Sequence, residues 1–455
     1  MPNPMSPSEP DRETLEAQTP DLAASAATDF AEVASSQRRG MSLAIGAQIF
    51  GMLGDIAFRN GILLVYFTAL ELGSNRVLLY LSLPPLLMLV LRLPAAHLAD
   101  HIGLKRVGAP GFALIAVGFS LFLAAGFVER SGAEALVLSG VLLHGAGQAI
   151  ASAGFMPLLR RIVPQKLRGR FFGRLHVSWQ AVGLVFVAGC ALLLPAEASV
   201  RMYQMIVAVL VAGGAMRVLL FLRIAEPPRP ARPTHGFFSS ISRTLHAEGY
   251  APFSAYIFLL ALCTGATPFV FGLLEKHTLH FGDDQVVWMG HLIMIGSLIG
   301  FALGGKATDW WGTKPVFLVC HFGYGVALAL MLGRAFLPVD VIYLAGAANL
   351  LYGAFWAGSL IAITTELLAL VPRENQAMGT SLALLLFHIG GAASGMLGSA
   401  ALGMGIFSSR WELMGMALGP YDSLLLLWAV MIVLLVVTLG LVPSVLRKAE
   451  WMPST

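Results

Sequence analysis

Long apolar stretches separated by short polar ones set the pattern of this chain. After a polar first segment, apolar runs occur at roughly 41–68, 76–98, 106–128, 134–160, 175–195 and 200–222. A longer polar interval follows, and six more runs come at roughly 251–274, 285–305, 314–334, 340–368, 376–403 and 422–446. About twenty apolar residues suffice to carry a helix across the hydrocarbon core of a bilayer. The pattern therefore predicts an all-α membrane protein with twelve transmembrane helices.

The polar turns between runs show a second regularity. The turn after the second run reads AHLADHIGLKR over 96–106, and the turn after the eighth reads GKATDWWGTKP over 305–315. Asp100 matches Asp309, Gly103 matches Gly312 and Lys105 matches Lys314, all at an offset of 209 residues. Further on, VPQKLRGRFFG (163–173) answers VPRENQAMG (371–379), with Pro164 and Pro372 offset by 208, as are Gly145 and Gly353. The chain is expected to be a tandem duplication, two parallel repeats of six helices each. Its expected divisions are a disordered tail over 1–40, a first bundle over 41–223, a connector over 224–250, a second bundle over 251–446 and a short tail over 447–455.

Charge orients the helices. Only Arg76, Arg130, Arg201, Lys276, Arg334 and Arg410 fall in the loops of one face, whereas the tails and the loops of the other carry twenty lysines and arginines. Positive loops stay in the cytoplasm, which places both termini there. The expected setting is the bacterial inner membrane. The first forty residues lack the basic start and short apolar core of a secretory signal.

Composition agrees. The chain has 455 residues, 57% hydrophobic and 12% charged, with a mean hydropathy of +0.77. Its net charge of +4 is spread over loops, so nucleic acid is not an expected partner. Cys190, Cys263 and Cys320 sit apart in apolar runs, with no disulfide or metal spacing. No Walker sequence occurs, so ATP is not expected to drive the protein directly. No cofactor or metal is expected, and no set of catalytic groups appears at matching depths, so the chain is not expected to be an enzyme.

The paired turns resemble the loop signature of the major facilitator superfamily, G-x-x-x-D-R-x-G-R-K, which follows the second and eighth helices. The first copy departs at Ala96, His101 and Leu104, and the second at Trp310 and Thr313. The resemblance implies that Asp100, Gly103, Lys105 and Arg106, with Asp309, Gly312 and Lys314, form a conformational latch. An ionised Asp at a helix end can face the positive N-terminus of a neighbouring helix, and Gly lets the turn close. Arg168 and Arg170 look like the family's cytoplasmic clamp after the fourth helix. The fifth helix lacks the Gly-Pro element of the family's drug/proton antiporters, so drug efflux is not the expected activity.

Ionisable groups at membrane depth are costly, and each is a functional candidate. Asp55 lies about 20 Å along the first helix at 1.5 Å per residue. Arg59 stands four residues on, on the same face, and is expected to pair with it. Asn60 extends the patch. In the fourth helix His144 and Gln148 flank small residues, loosely resembling the family motif R-x-x-Q-G-x-G. His144 is a candidate proton carrier beside Asp55.

The second half offers Asn349, Tyr352 and Trp356 on one face of the tenth helix, able to stack on and hydrogen-bond a solute, and Pro268, which should bend the seventh helix. His388 ranks next among the histidines, ahead of His291 and His321, whose polar neighbours are less suggestive. Arg92 and Arg217 read as snorkelling cations.

Together these observations predict a secondary transporter that moves a small organic solute by alternating access, with proton coupling through Asp55 and His144, acting as a monomer in the bilayer. Alternatives of the same fold are a uniporter, a lipid flippase, or a receptor or assembly factor that does not transport.

Overall fold

The computed structural model describes residues 35–164, 167–226, 242–370, 376–407, 410–413 and 415–440. Residues 1–34, 227–241 and 441–455 lie outside this set. With them go nearly all of the expected N-terminal tail, much of the connector and the final tail.

Among the described residues, twelve helices are long and apolar enough to cross a membrane. We number them α1 to α12. The first six are α1 (Ser35–Arg59, resumed over Ile62–Ala69), α2 (Ser74–Ile102), α3 (Leu104–Ala125), α4 (Arg130–Ile162), α5 (Arg168–Leu193) and α6 (Val200–Leu222). The rest are α7 (Tyr250–His277), α8 (Asp283–Trp311), α9 (Thr313–Leu332), α10 (Val341–Leu370), α11 (Gln376–Gly403) and α12 (Pro420–Leu435, ending in a π turn over Val436–Gly440). A short hairpin, β1 (Trp411–Leu413) with β2 (Met416–Leu418), caps the loop between α11 and α12 and was not expected from the apolar pattern.

α1 to α6 pack chiefly on one another, as do α7 to α12. Two seams join the sets, α2 against α11 and α5 against α8. Shifting every helix number by six turns one seam into the other. Glycines bring the helix backbones together. A Cβ on Gly111 would meet the backbone of Ala151, and one on Gly300 the backbone of Ala354, so α3 and α4, like α8 and α10, touch main chain to main chain.

The basic loops mark one end of the bundle, and the sets are sealed together at the other. There Ala198 N–H donates to the Asp283 carboxylate at 3.0 Å, and Asp283 N–H donates to the Ala196 carbonyl at 2.8 Å. Tyr421 Oη bonds Ser74 Oγ at 2.7 Å, and Ser399 Oγ donates to the Asn75 carbonyl at 2.6 Å. Residues 62–67 of α1 and 270–275 of α7 are wholly buried in this seal. These hydrogen bonds, and the close approaches of Gly290, Gly395 and Gly398 to the facing set, lie between middle depth and this sealed end. Below it, the facing stretches of α2 and α11 are half-exposed.

α1 and α7 both break as they enter the seal. α1 breaks at Asn60 and Gly61, where Gly61 has φ +79°. α7 breaks at Gly265 and Ala266, just ahead of Pro268, where a bend was expected. The break frees the Thr264 carbonyl, which accepts from Tyr352 Oη at 3.0 Å, while Ala266 N–H reaches Ser394 Oγ at 3.4 Å.

Candidate functional site

The site is built on α1 at middle depth. Asp55 is half-buried and accepts a hydrogen bond from the Gln148 amide on α4. His144, one turn earlier on α4, places Nε2 3.6 Å from Asp55 Oδ1. Its ring is held by stacking on Phe58, with centroids 4.2 Å apart, and by an edge contact with Phe119 at 5.4 Å. His144 Nδ1 is buried and has no hydrogen-bond partner. The structure thus brings Asp55, His144 and Gln148 together.

Arg59 does not join them as expected. No ion pair with Asp55 forms, because Asp55 faces α4 and its donors, whereas Arg59 occupies the last turn before the break. Flanked by the buried Phe58 and Asn60, Arg59 is exposed and, among described residues, has neither ion pair nor hydrogen bond. It stands immediately below the point where the Asn60 backbone meets Gly290 of α8, within coulombic reach of Asp55, Tyr352 and His388.

Arg217 on α6 does not snorkel. It is 5% exposed, and its guanidinium lies 4.1 Å from the Phe112 ring centroid and 3.3 Å from Gln48 Oε1. Nε and Nη1 are buried without partners. Gly51 makes the room, since a Cβ there would run into this side chain. Arg217 acts coulombically on both Asp55 and His144. Arg92 is half-buried on α2, within coulombic reach of His388 on α11.

The second half is arranged differently. Asn349 does not face open space; it is 1% exposed and donates to Glu275 at 2.7 Å. Glu275 is itself 1% exposed, a buried carboxylate that sequence reasoning passed over because Lys276 beside it suggested a loop. Tyr352 is buried on the α7 break, and the half-buried Trp356 packs edge-on against Phe301. The three do not present one common open face, because Asn349 and Tyr352 spend their polar groups on α7. His321, set aside for want of polar neighbours, has both nitrogens engaged, Nδ1 with Tyr256 Oη at 2.6 Å and Nε2 with Ser359 Oγ at 3.1 Å. Its partners are far away in sequence, so no local signal could have shown them.

At the basic end, Gly103 with φ +119° and Gly312 with φ +82° make the tight turns expected of them. Asp100 and Asp309 are exposed there. The positive N-terminus of α3 is met instead by Glu226, whose carboxylate accepts from Leu104 N–H at 2.9 Å and Lys105 N–H at 3.2 Å. In the second half the Glu366 carboxylate accepts from Thr313 Oγ1 at 2.5 Å. Lys105 Nζ bonds the Leu222 carbonyl at 2.7 Å. Arg106 is exposed, and Lys314 is half-exposed. Arg168 reaches the Arg160 carbonyl at the end of α4 at 3.1 Å, and Arg170 is exposed.

Among the described residues, twelve apolar helices around a polar centre have the build of a multi-pass membrane protein. The sequence profile of the Major Facilitator Superfamily matches residues 43–395, and the chain belongs to that family. Solved structures similar to it include the nucleoside transporter NupG, with a TM-score of 0.65 and 13% identity over 89% of this chain and 98% of that one. A D-xylose-proton symporter gives 0.67 and 12% over 88% and 96%, and a POT family transporter in complex with a thioalcohol-conjugated peptide gives 0.68 and 13% over 90% and 97%. At these identities the likeness is one of fold. No curated protein matches the chain in sequence.

Proposed function

We propose that the protein is a secondary active transporter that carries a small organic solute by alternating access, driven by protons taken up at Asp55 and His144. The observation that carries this reading is a half-buried carboxylate at middle depth, 3.6 Å from an imidazole nitrogen, in a bundle whose sets share the hydrogen-bonded seal at one end. Imidazole titrates near neutral pH and a carboxylate in a partly dry site can hold or release a proton, so a change in hydration that accompanies the switch of access would load the proton on one side and release it on the other.

The excess of basic residues at one end supports cytoplasmic termini, and with the setting read as the bacterial inner membrane the conformation is inward-open. Asp100 and Asp309, exposed in this state, would engage as latches when the basic end closes, with Gly103, Lys105, Arg106, Gly312 and Lys314 shaping the two turns. Arg168 and Arg170 would clamp the end of α4. Rocking about the two seams suits a family built of two six-helix units, here acting as a monomer.

The test uses proteoliposomes and a solute selected by its thermal stabilisation of the purified protein. Asp55→Asn is expected to abolish uphill accumulation while solute counterflow continues. Accumulation at the wild-type level in this variant would remove Asp55 from coupling, and accumulation independent of the pH gradient in the wild type would remove protons altogether.

A further inference from the structure

Of the 29 lysines and arginines in the chain, Arg59, Arg92 and Arg217 are those that fall inside the membrane-spanning runs away from the loops. An arginine keeps its proton in a protein and so must be neutralised rather than discharged. At the same depth Asp55 is the matching carboxylate, since Glu275 lies near the sealed end and Glu366 near the basic one. Arg217 and Asp55 act on each other across α6 and α1. Arg59 also lies within coulombic reach of Asp55, so three arginines share the one carboxylate at this depth, and Arg59 and Arg92 have neither ion pair nor hydrogen bond among described residues.

Both arginines face the gap between the two sets. Gly395 and Gly398 of α11 close on Ser82 and Leu78 of α2 in the seal. Following the same helical stripes toward the basic end, in steps of three and four, leads along α2 to Arg92 and along α11 to His388. Arg59 hangs just under the contact between Asn60 and Gly290. Two fixed cations and a histidine within coulombic reach of both therefore ring the top of the gap.

Resting on the transporter reading, we infer that this gap is an anion site, and that the carried solute bears a carboxylate, phosphate or sulfonate group gripped by Arg59 and Arg92 with His388 opposite. Guanidinium groups present paired N–H donors that match such oxyanions. Water hydrates the arginines while the gap is open. Closing it empty would bury cations in excess of the one carboxylate at that depth, at a large electrostatic cost, whereas closing it around an anion offsets their charge. The solute's charge then licenses closure, because it binds the closed state more tightly than the open one.

The test needs no knowledge of the solute. Met52 is half-buried on α1, seven residues before Arg59 and on the same face. In Met52→Cys, thiol modification by the anionic sulfonatoethyl and the cationic trimethylammonioethyl methanethiosulfonates is compared, each normalised to its rate with free cysteine. Wild type, whose three cysteines are buried, is the blank. The normalised preference for the anionic reagent is expected to be about tenfold, as for a site of fixed positive sign. It should fall several-fold with Arg59→Gln or Arg92→Gln and persist with Arg59→Lys or Arg92→Lys, which also serve as folding controls. A preference near one, or one untouched by both glutamine variants, overturns the inference. The transporter reading is tested separately, by uphill accumulation of the thermally selected solute in proteoliposomes. Failure to accumulate defeats that reading and leaves the anion preference standing.

Discussion

The two halves share a helix pattern but place opposite chemistry at their centres. In the first, Asp55, His144, Arg217, Arg59 and Arg92 are charged or titratable, and several of their polar atoms lack partners. In the second, the polar groups around α7 are closed into short networks, Tyr256 to His321 to Ser359, Asn349 to Glu275, and Tyr352 to the carbonyl freed at the α7 break, while His291 and His388 each keep an Nδ1 without a partner. A satisfied network rigidifies its surroundings, while an unsatisfied one stores the capacity to bind or to change partners. The comparison suggests a division of labour in which the first half binds and couples and the second supplies a firm wall to rock against.

The sharpest way to break this contrast is to neutralise one carboxylate in each half. Glu275→Gln keeps the shape and leaves an amide oxygen to accept from Asn349, so accumulation should stay within about twofold of wild type, a hydrogen-bond exchange worth about 1 kcal/mol or less. Asp55→Asn should reduce it to the equilibrium level. If Glu275→Gln also abolishes accumulation in a proton-driven assay, the second half shares the coupling and the contrast fails.

A smaller effect separates packing from chemistry. Gly300→Ala would press a methyl onto the Ala354 backbone, which cannot yield, whereas Gly51→Ala would press one onto the Arg217 side chain, which can. Overpacking costs about 1–3 kcal/mol, so Gly300→Ala should lower the melting temperature more than Gly51→Ala does. Gly51→Ala should instead displace Arg217 and shift the pH dependence of transport. Equal melting losses with an unchanged pH profile would show that Arg217 is packing and nothing more.

The contrast was only partly legible in the sequence. The twelve helices, the tight turns at Gly103 and Gly312, and the meeting of Asp55 with His144 and Gln148 follow from run length, turn chemistry and depth, all of which are measured along one helix or two. Arg217 was misread because counting residues from the end of α6 cannot reveal the space that Gly51 leaves on α1. Pairing of Asp55 with Arg59 followed from the i to i+4 rule, but that rule takes no account of Gln148 arriving from α4 or of a helix that stops at Asn60. Glu226 took the place expected for Asp100 because the connector after α6 comes back to the start of α3, which no local pattern records.

The smallest effect concerns the seal itself. Asp283 accepts from Lys276 Nζ at 2.6 Å within the second half, and from Ala198 N–H at 3.0 Å across the boundary between the two sets. Asp283→Asn removes the charge but keeps the shape, so the cross-boundary bond changes from charge-assisted to neutral, a loss of about 1 kcal/mol. Such a change moves a two-state equilibrium about fivefold. In spin-labelled protein, with one label on Ser199 and one on Leu279, the fraction with a widened separation should rise by about that factor without loss of folded protein. An unchanged distance distribution would mean that apolar burial over 62–67 and 270–275 holds the seal, with Asp283 merely satisfying its neighbours.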